Sequence, residues 1–433
     1  MERQANDIGR RGLLKQGGLA AASLIGTSRV WAGANDRLRV ALIGCGGRTR
    51  SLVGEMLSVK NVEVAAVCDV DRNRMEERAG EVEKKSGRRP RMEEDMRKLL
   101  DDPSIDAFTI ATTNHWHALA TVWACQAGKH VYVEKPVCHN IFEGQRMVEA
   151  ARKYKRVVQG GTQRRSWGRF LRAAELLHQG VIGDVYMSRT FLTRYREPIG
   201  FKPTEPPPKW LNWDLWLGPA PQQAYHGNLV HYNWHFFWDF GNGEMGNNGS
   251  HYIDISRWFM GKGMPSRIQS AGGRFGPMDQ GQTPNVLNST FTFDDGKILE
   301  CEIRNVYTPE PSQWFFYGTK GYMHFQEDIF KRKFDFEVYL GTSEKPEPDM
   351  GTHPDIDHYG IFAQAVRENR PEILTCDIEQ ARISGSFCLL ADIAYRLNRD
   401  LKFDPKTERF QDPEANAMLT REYRKPFVVP AKV

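Results

Sequence analysis

Leu38-Arg39-Val40-Ala41-Leu42-Ile43-Gly44-Cys45-Gly46-Gly47-Arg48-Thr49 is the stretch that decides the fold. Six strand-forming residues run directly into a glycine turn, and a helical pattern, Arg50–Ser58, follows. Glycines at 44 and 46 permit the tight turn and let backbone amides approach a pyrophosphate at the helix N-terminus. Gly47 and Arg48 belong to the same loop, and Thr49 takes the place of a third glycine. The next apolar run, Val62–Cys68, ends at Asp69. A carboxylate there suits both hydroxyls of an adenosine ribose and repels a 2′-phosphate, so NAD is expected. Arg72 and Arg74 nearby leave NADP as the alternative.

Outward from this stretch, short apolar runs alternate with amphipathic ones. Ile105–Ala111, His130–Val133 and Arg156–Gln159 read as further strands. Arg72–Lys85, Glu93–Leu100, His115–Ala127 and Ile141–Lys153 read as the helices between them. Strict alternation predicts a parallel sheet covered on both faces, a dinucleotide-binding α/β domain spanning residues 35–158. The pattern then changes. A helix at Phe170–Gln179 precedes period-two runs, with hairpins at Thr290–Lys297 and across Thr319-Lys320-Gly321. Helices at Asp357–Glu368 and Ile378–Leu397 follow. These predict a second α+β domain at 159–404 with an open, largely antiparallel sheet, and a loop-like tail at 405–433.

The first 34 residues read as an export signal. Gly9-Arg10-Arg11-Gly12-Leu13-Leu14-Lys15 resembles the twin-arginine motif, and an uncharged stretch from Gln16 to Ser28 and small residues up to Ala34 follow. This predicts engagement of the twin-arginine machinery and a periplasmic or otherwise exported destination. The segment carries five basic and two acidic residues, so its removal takes the net charge from +5 to about +2. That balance gives no electrostatic case for nucleic acid or an anionic membrane surface. The seven cysteines form no Cys-x-x-Cys pair and no zinc spacing, and their odd number leaves at least one thiol free. Export of an already folded chain fits unpaired buried thiols better than a disulfide framework.

Two further stretches carry a family likeness. Ile110-Ala111-Thr112-Thr113-Asn114-His115-Trp116-His117-Ala118 and Gly128-Lys129-His130-Val131-Tyr132-Val133-Glu134-Lys135-Pro136 closely resemble the glucose–fructose oxidoreductase/inositol dehydrogenase/MocA family. The Glu-Lys-Pro signature is intact, whereas the usual Thr-Pro-Asn reads Thr112-Thr113-Asn114. The resemblance covers Arg37 to about Asp404. It implies a Rossmann domain, a C-terminal sheet domain, an active site between them, and a cis peptide before Pro136 that turns Lys135 towards the nicotinamide. Thr112, Asn114, His117, Glu134 and Lys135 thereby join Gly44, Gly46, Gly47, Arg48 and Asp69 as candidate cofactor contacts. On chemical grounds, a lysine at the C-terminal edge of a parallel sheet, partly desolvated, has a lowered pKa. It serves either as base for the hydroxyl proton or as a charged group that polarises the oxygen.

A second cluster, Gly241 to Asp254, matches the family's Asp-x-x-x-His signature, with His251 intact and Asn247 at the aspartate position. An amide holds an imidazole without stabilising its cation, so weight moves from His251 to Lys135. Asp254 is either an alternative partner for His251 or structural. Upstream, Tyr225–Asp239 is rich in aromatics and neutral hydrogen-bonding groups, and nine of the 11 tryptophans lie between 116 and 258. Tyr232, Trp234 and His235 suit a ligand with apolar ring faces and an equator of hydroxyls, although packing explains them equally. Gln163 and Arg164 fall where the family lines its cleft. His231 and His235 stand four apart with no third ligand spaced to join them, so no metal is expected.

Together these features predict an NAD-dependent oxidoreductase acting on a ring hydroxyl of a sugar, glycoside or polyol, with a tightly held, internally recycled cofactor. Two alternatives stand beside it: a redox-neutral NAD-assisted glycosidase or lyase, and a non-catalytic sugar-binding relative. The resemblance also implies a homo-oligomer paired through the outer face of the C-terminal sheet.

Overall fold

The computed structural model describes residues 37–328 and 333–433. The export signal expected at residues 1–34 lies outside the described residues. The chain opens with β1 (Leu38–Ile43), α1 (Thr49–Ser58), β2 (Val62–Cys68), α2 (Arg72–Ser86), β3 (Arg91–Glu93), α3 (Arg97–Leu100), β4 (Ala107–Ile110), α4 (Asn114–Gln126), β5 (His130–Val133), α5 (Ile141–Lys153) and β6 (Val158–Gly160). The six strands pair in parallel in the order β3-β2-β1-β4-β5-β6, the doubly wound arrangement of a Rossmann domain. The order reverses between β1 and β4, which opens a crevice beyond their C-terminal ends. One expectation differs here. Glu93–Leu100 is not a single helix: Arg91–Glu93 adds an edge strand, and only Arg97–Leu100 is helical. Three residues are too few to show a period.

The second domain holds α6 (Gly168–His178), β7 (Val185–Thr193), α7 (Trp213–Leu217), a π-helical turn at Met245–Gly249, α8 (Ser250–Phe259), β8 (Arg267–Gly273), β9 (Val286–Thr292), β10 (Ile298–Arg304), β11 (Gln313–Gly318), β12 (Gly321–Asp328), β13 (Lys333–Leu340), α9 (His358–Glu368), α10 (Ile378–Leu397), β14 (Leu401–Asp404), β15 (Arg409–Phe410) and α11 (Pro413–Ala417). Its nine strands run β13-β12-β11-β7-β10-β9-β8-β14-β15, and the pairings are antiparallel except β7 with β10. Both expected hairpins form, β9–β10 around Gly296 (φ +79°) and β11–β12 around Thr319-Lys320. Leu299, Cys301, Ile303, Trp314, Phe316, Met323 and Phe325 point to one buried face, against which α6, α8 and α10 pack. α10 is apolar nearly all round because it also packs against α5 and β6, so it joins the two domains. All seven cysteines are buried, unpaired thiols.

The tail after Asp404, expected as a loop, does more than that reading allowed. Phe427, Val429 and Val433 are buried. The Phe427 ring meets Trp116 edge-on at 5.4 Å, and Arg424 donates to the carbonyls of Gly218 (2.9 Å) and Asp214 (2.6 Å). The tail thus holds down the segment Trp210–Gly218, which crosses to the Rossmann domain. Arg72 N–H donates to Trp210 O (3.0 Å) and Asn212 N–H to Val70 O (2.9 Å), while Trp116 Nε1 donates to Leu215 O (3.1 Å). We call this segment the strap.

Candidate active site

The glycine turn is built as its sequence requires. Gly44 has φ +89°, and a Cβ there would lie 2.6 Å from Ala111 O at the end of β4. A Cβ on Gly46 or Gly47 would meet nothing within 4 Å, so that side of the loop is open to the crevice. Thr49, in the third-glycine position, is buried and donates its hydroxyl to Gly46 O at 2.6 Å. Asp69 Oδ2 accepts from Cys45 N–H (2.5 Å), and Oδ1 accepts from Asp71 N–H (2.8 Å). Burial lifts its carboxyl to about 6 against the pull of those two amides. Each oxygen keeps a second lone pair for a ribose hydroxyl. At the start of α4, Asn114 Nδ2 is buried without a hydrogen-bond partner among the described residues, at the wall of the same crevice. An open glycine cradle, a carboxylate at the end of β2 and an orphaned amide donor together fit a dinucleotide.

The crevice continues into one cleft of about 690 Å³ lined by both domains. All ten candidate cofactor residues line it: Gly44, Gly46, Gly47, Arg48, Asp69, Thr112, Asn114, His117, Glu134 and Lys135. So do Gln163, Tyr232, Trp234, His235, Asn247 and His251. Arg164 does not. Its guanidinium lies over the rings of Phe334 (4.9 Å), Tyr252 (5.0 Å) and Trp314 (5.4 Å), beneath the cleft floor. Arg164, expected beside Gln163 at the cleft, is held by these cation–π contacts, and its charge still bears on Lys135 and His251. Arg48 and His117 also serve the scaffold. Arg48 Nε donates to Glu134 Oε1 (2.7 Å), tying the glycine loop to the Glu-Lys-Pro turn. His117 stands between Pro136 O (2.8 Å) and Thr112 O (3.1 Å), and burial keeps its ring neutral, so one nitrogen donates at a time.

The Lys135–Pro136 peptide is cis, and Lys135 Nζ donates to the backbone carbonyl of Asn247. Burial pulls the Lys135 ammonium down to about 8. Glu134 and Glu244 oppose that shift, while Arg164 and Arg48 add to it. Asn247 lies in the π-helical turn that leads into α8, where His251 stands. Its Nδ2 donates to Tyr232 Oη (3.1 Å) and faces Glu244 Oε2 (3.4 Å), so it does not hold His251. His251 Nδ1 is buried with no partner among the described residues, and burial, then the charges of Lys135, Arg164 and Arg48, push its pKa well down. His251 is neutral here and acts as an acceptor or a wall. Asp254 is structural: Arg165 grips both its oxygens at 2.8 Å and Ser384 donates at 2.6 Å.

Several features escape sequence reading because their partners are far apart in the chain. Glu244 is buried and accepts two bonds from Arg196 (both 3.1 Å), whose guanidinium covers the Tyr232 ring. His231, offered only as half of a rejected metal pair, reaches across to Asp71 Oδ2 (2.6 Å) and stacks on Trp210. Burial opposes ionisation of Asp71, but His231 and the amides of Arg74 and Asn73 hold its carboxyl below the usual range. His235 Nδ1 donates to Tyr232 O (2.6 Å) and the ring stacks on Trp234 at 3.6 Å; burial takes its pKa to about 3. Trp234, His235 and Tyr232 form an aromatic wall facing Lys135.

Comparison with known proteins agrees with this architecture. Residues 38–162 match the description "Oxidoreductase family, NAD-binding Rossmann fold", and residues 199–429 match "Oxidoreductase family, C-terminal alpha/beta domain". The chain is 30% identical over 157 residues to glycosyl hydrolase family 109 protein 1 of Akkermansia muciniphila, covering 35% of this chain and 32% of that one. It is 28% identical over 153 residues to myo-inositol 2-dehydrogenase of Thermotoga maritima, covering 35% and 44%. The matched stretches thus span less than half the length of these curated relatives. The WlbA dehydrogenase from Bordetella pertussis, solved in complex with NADH and UDP-GlcNAcA, shares the fold with a TM-score of 0.65 at 19% identity, covering 86% of this chain and 99% of that one. With both domains matched in order, and the glycine loop and the Glu-Lys-Pro turn facing one cleft, the chain belongs to the glucose–fructose oxidoreductase/inositol dehydrogenase/MocA family of oxidoreductases.

Proposed function

We propose that this protein is an NAD-dependent oxidoreductase that interconverts a ring hydroxyl and a ketone on a neutral sugar, glycoside or polyol. The observation that carries the reading is Lys135: a half-buried amine, brought to about 8 and aimed across the cleft at Asn247 O. When bound, the nicotinamide supplies the hydride acceptor. Lys135 in its neutral form takes the hydroxyl proton, and in its charged form returns it. Tyr232, Trp234 and His235 give the apolar wall that a sugar ring stacks on. Arg48 is paired with Glu134 and Glu55, and Arg196 with Glu244, which supports an uncharged substrate. The test is a panel of free sugars, glycosides and polyols, followed by absorbance of the reduced cofactor and by product analysis. A ketosugar, lost on Lys135→Met with dinucleotide binding retained, is the expected outcome; full activity in that variant would remove Lys135 from the role.

A second reading is a redox-neutral glycosidase or lyase, in which transient oxidation acidifies a neighbouring C–H and elimination expels the leaving group. The match to a glycosyl hydrolase family 109 protein supports it. Release of an aglycone without net change in the cofactor would select this reading over the first.

The proposal extends to the cell. The Arg10-Arg11 segment supports twin-arginine export of the folded chain, and seven buried thiols suit folding before export. An exported enzyme far from a soluble cofactor pool needs a resident one, and the strap over the adenosine end of the cleft supports retention. Pairing of two chains through the uncovered face of the large sheet completes the proposal.

A further inference from the structure

At the adenosine end of the cleft, two arginines from different helices face the position beyond Asp69. Arg50 projects from α1 and Arg74 from α2, and both line the cleft. Two guanidiniums beside a ribose are the usual means of holding a 2′-phosphate, whereas Asp69 is the usual means of holding free hydroxyls. The site therefore contains the parts of both selectivities. One residue disarms the first set: Glu77, one turn along α2, accepts from Arg50 Nη2 through Oε1 and from Arg74 Nη1 through Oε2, each at 2.8 Å. Arg72, the other arginine nearby, turns instead to Glu94 at 3.6 Å and does not line the cleft. Arg78 is buried and committed to Glu81 and Cys45 O, and its guanidinium also lies 3.8 Å from Glu77 Oε1 without lining the cleft.

We infer that Glu77 is a cofactor-selectivity residue: by occupying Arg50 and Arg74 together, it withholds both from a 2′-phosphate and makes the site specific for NAD. The inference rests on the reading of the cleft as a dinucleotide site. Asp69 repels the phosphate directly, and Glu77 removes the charges that would offset that repulsion. Replacing Glu77 with Gln keeps the side-chain shape while releasing two cations. The test titrates the purified protein with NADH and NADPH by fluorescence and identifies the dinucleotides released on denaturation. Glu77→Gln should tighten NADPH by about tenfold with NADH within twofold, the gain expected of one charge-assisted contact. Asp69→Ser with Glu77→Gln should tighten NADPH further and weaken NADH. Adding Arg50→Ala and Arg74→Ala to Glu77→Gln should cancel the gain. An unchanged NADPH-to-NADH ratio in Glu77→Gln, with wild-type NADH binding intact, overturns the inference alone. A wild-type protein that binds neither nucleotide overturns the dinucleotide reading and this inference with it.

Discussion

Asn247 donates to the Tyr232 hydroxyl while lying 3.4 Å from a carboxylate oxygen of Glu244, and Glu244 is buried and held by Arg196. The negative charge of this corner is thus already supplied by Glu244, and a carboxylate at 247 would face it at close range. Like charges this near do not both ionise without cost. We expect Asn247→Asp to lower stability by about 1–3 kcal/mol, the cost of disturbing a buried polar pair, and to lower turnover rather than raise it. Thermal melting with steady-state rates on the same samples checks this. Lys135 gives the pH dependence. Its pKa is lowered from the ordinary lysine value to about 8, so the neutral amine predominates above pH 8 and the ammonium below. Oxidation needs the neutral form, and kcat/KM for the alcohol should rise through about pH 8 and level off above it. Ketone reduction needs the ammonium and should fall over the same interval. A flat profile for both directions would assign the proton to another group.

At the scale of elements, the strap builds one wall of the crevice, with Leu211, Leu215 and Trp216 lining it. Trp210–Asn212 pairs with residues 70–72, and His231 closes on Asp71 from the same side. The tail locks the far end through Arg424, which also forms an ion pair with Asp214. Arg424→Ala removes that latch without touching the cleft lining. Release of bound dinucleotide, followed by exchange with a fluorescent analogue, should quicken severalfold; an unchanged rate would mean that the strap does not gate exit. None of this was legible in the sequence. β1, β2, β5, α5 and α10 stand at the expected bounds because each announces itself by local pattern, alternating or continuous apolar residues, with Gly44, Asp69 and Asn398 closing β1, β2 and α10. The glycine loop and Asp69 are legible from strand–turn–helix pattern, whereas Lys135 is singled out by the Glu-Lys-Pro resemblance, and all three line the one cleft. The strap and tail depend on contacts such as Arg424 with Gly218, more than 200 residues apart, which no local period encodes. The rings that hold the Arg164 guanidinium, Tyr252, Trp314 and Phe334, are likewise distant in sequence and equally illegible there.

For the whole molecule, the two faces of the nine-stranded sheet are unequal. Helices cover one, and on the other the rows run aromatic: Phe315 stacks on His324 at 4.2 Å, Tyr322 on Tyr339 at 4.6 Å, and Tyr186 stands 48% exposed beside them on the neighbouring strand β7. A twisted antiparallel sheet tolerates one solvated face, but a solvated face is ordinarily polar. Aromatic ladders with half-buried rings supply the Tyr and Phe in which interface cores are enriched, and the Arg189–Glu300 ion pair (3.4 Å) lies beside them on β7 and β10. A self-complementary patch of this kind closes in a two-fold pair, each copy meeting the same residues of the other. Light scattering after size exclusion should therefore give at least twice the chain mass. Phe315→Lys places a charge in the middle of the rows, directly opposite Arg189 on β7, and should shift the protein towards the monomer. Because Phe315 lies on the face away from α8 and the cleft, the monomer should keep its dinucleotide. A wild-type monomer at micromolar concentration would refute pairing through this face, and a Phe315→Lys protein that still pairs would move the interface elsewhere.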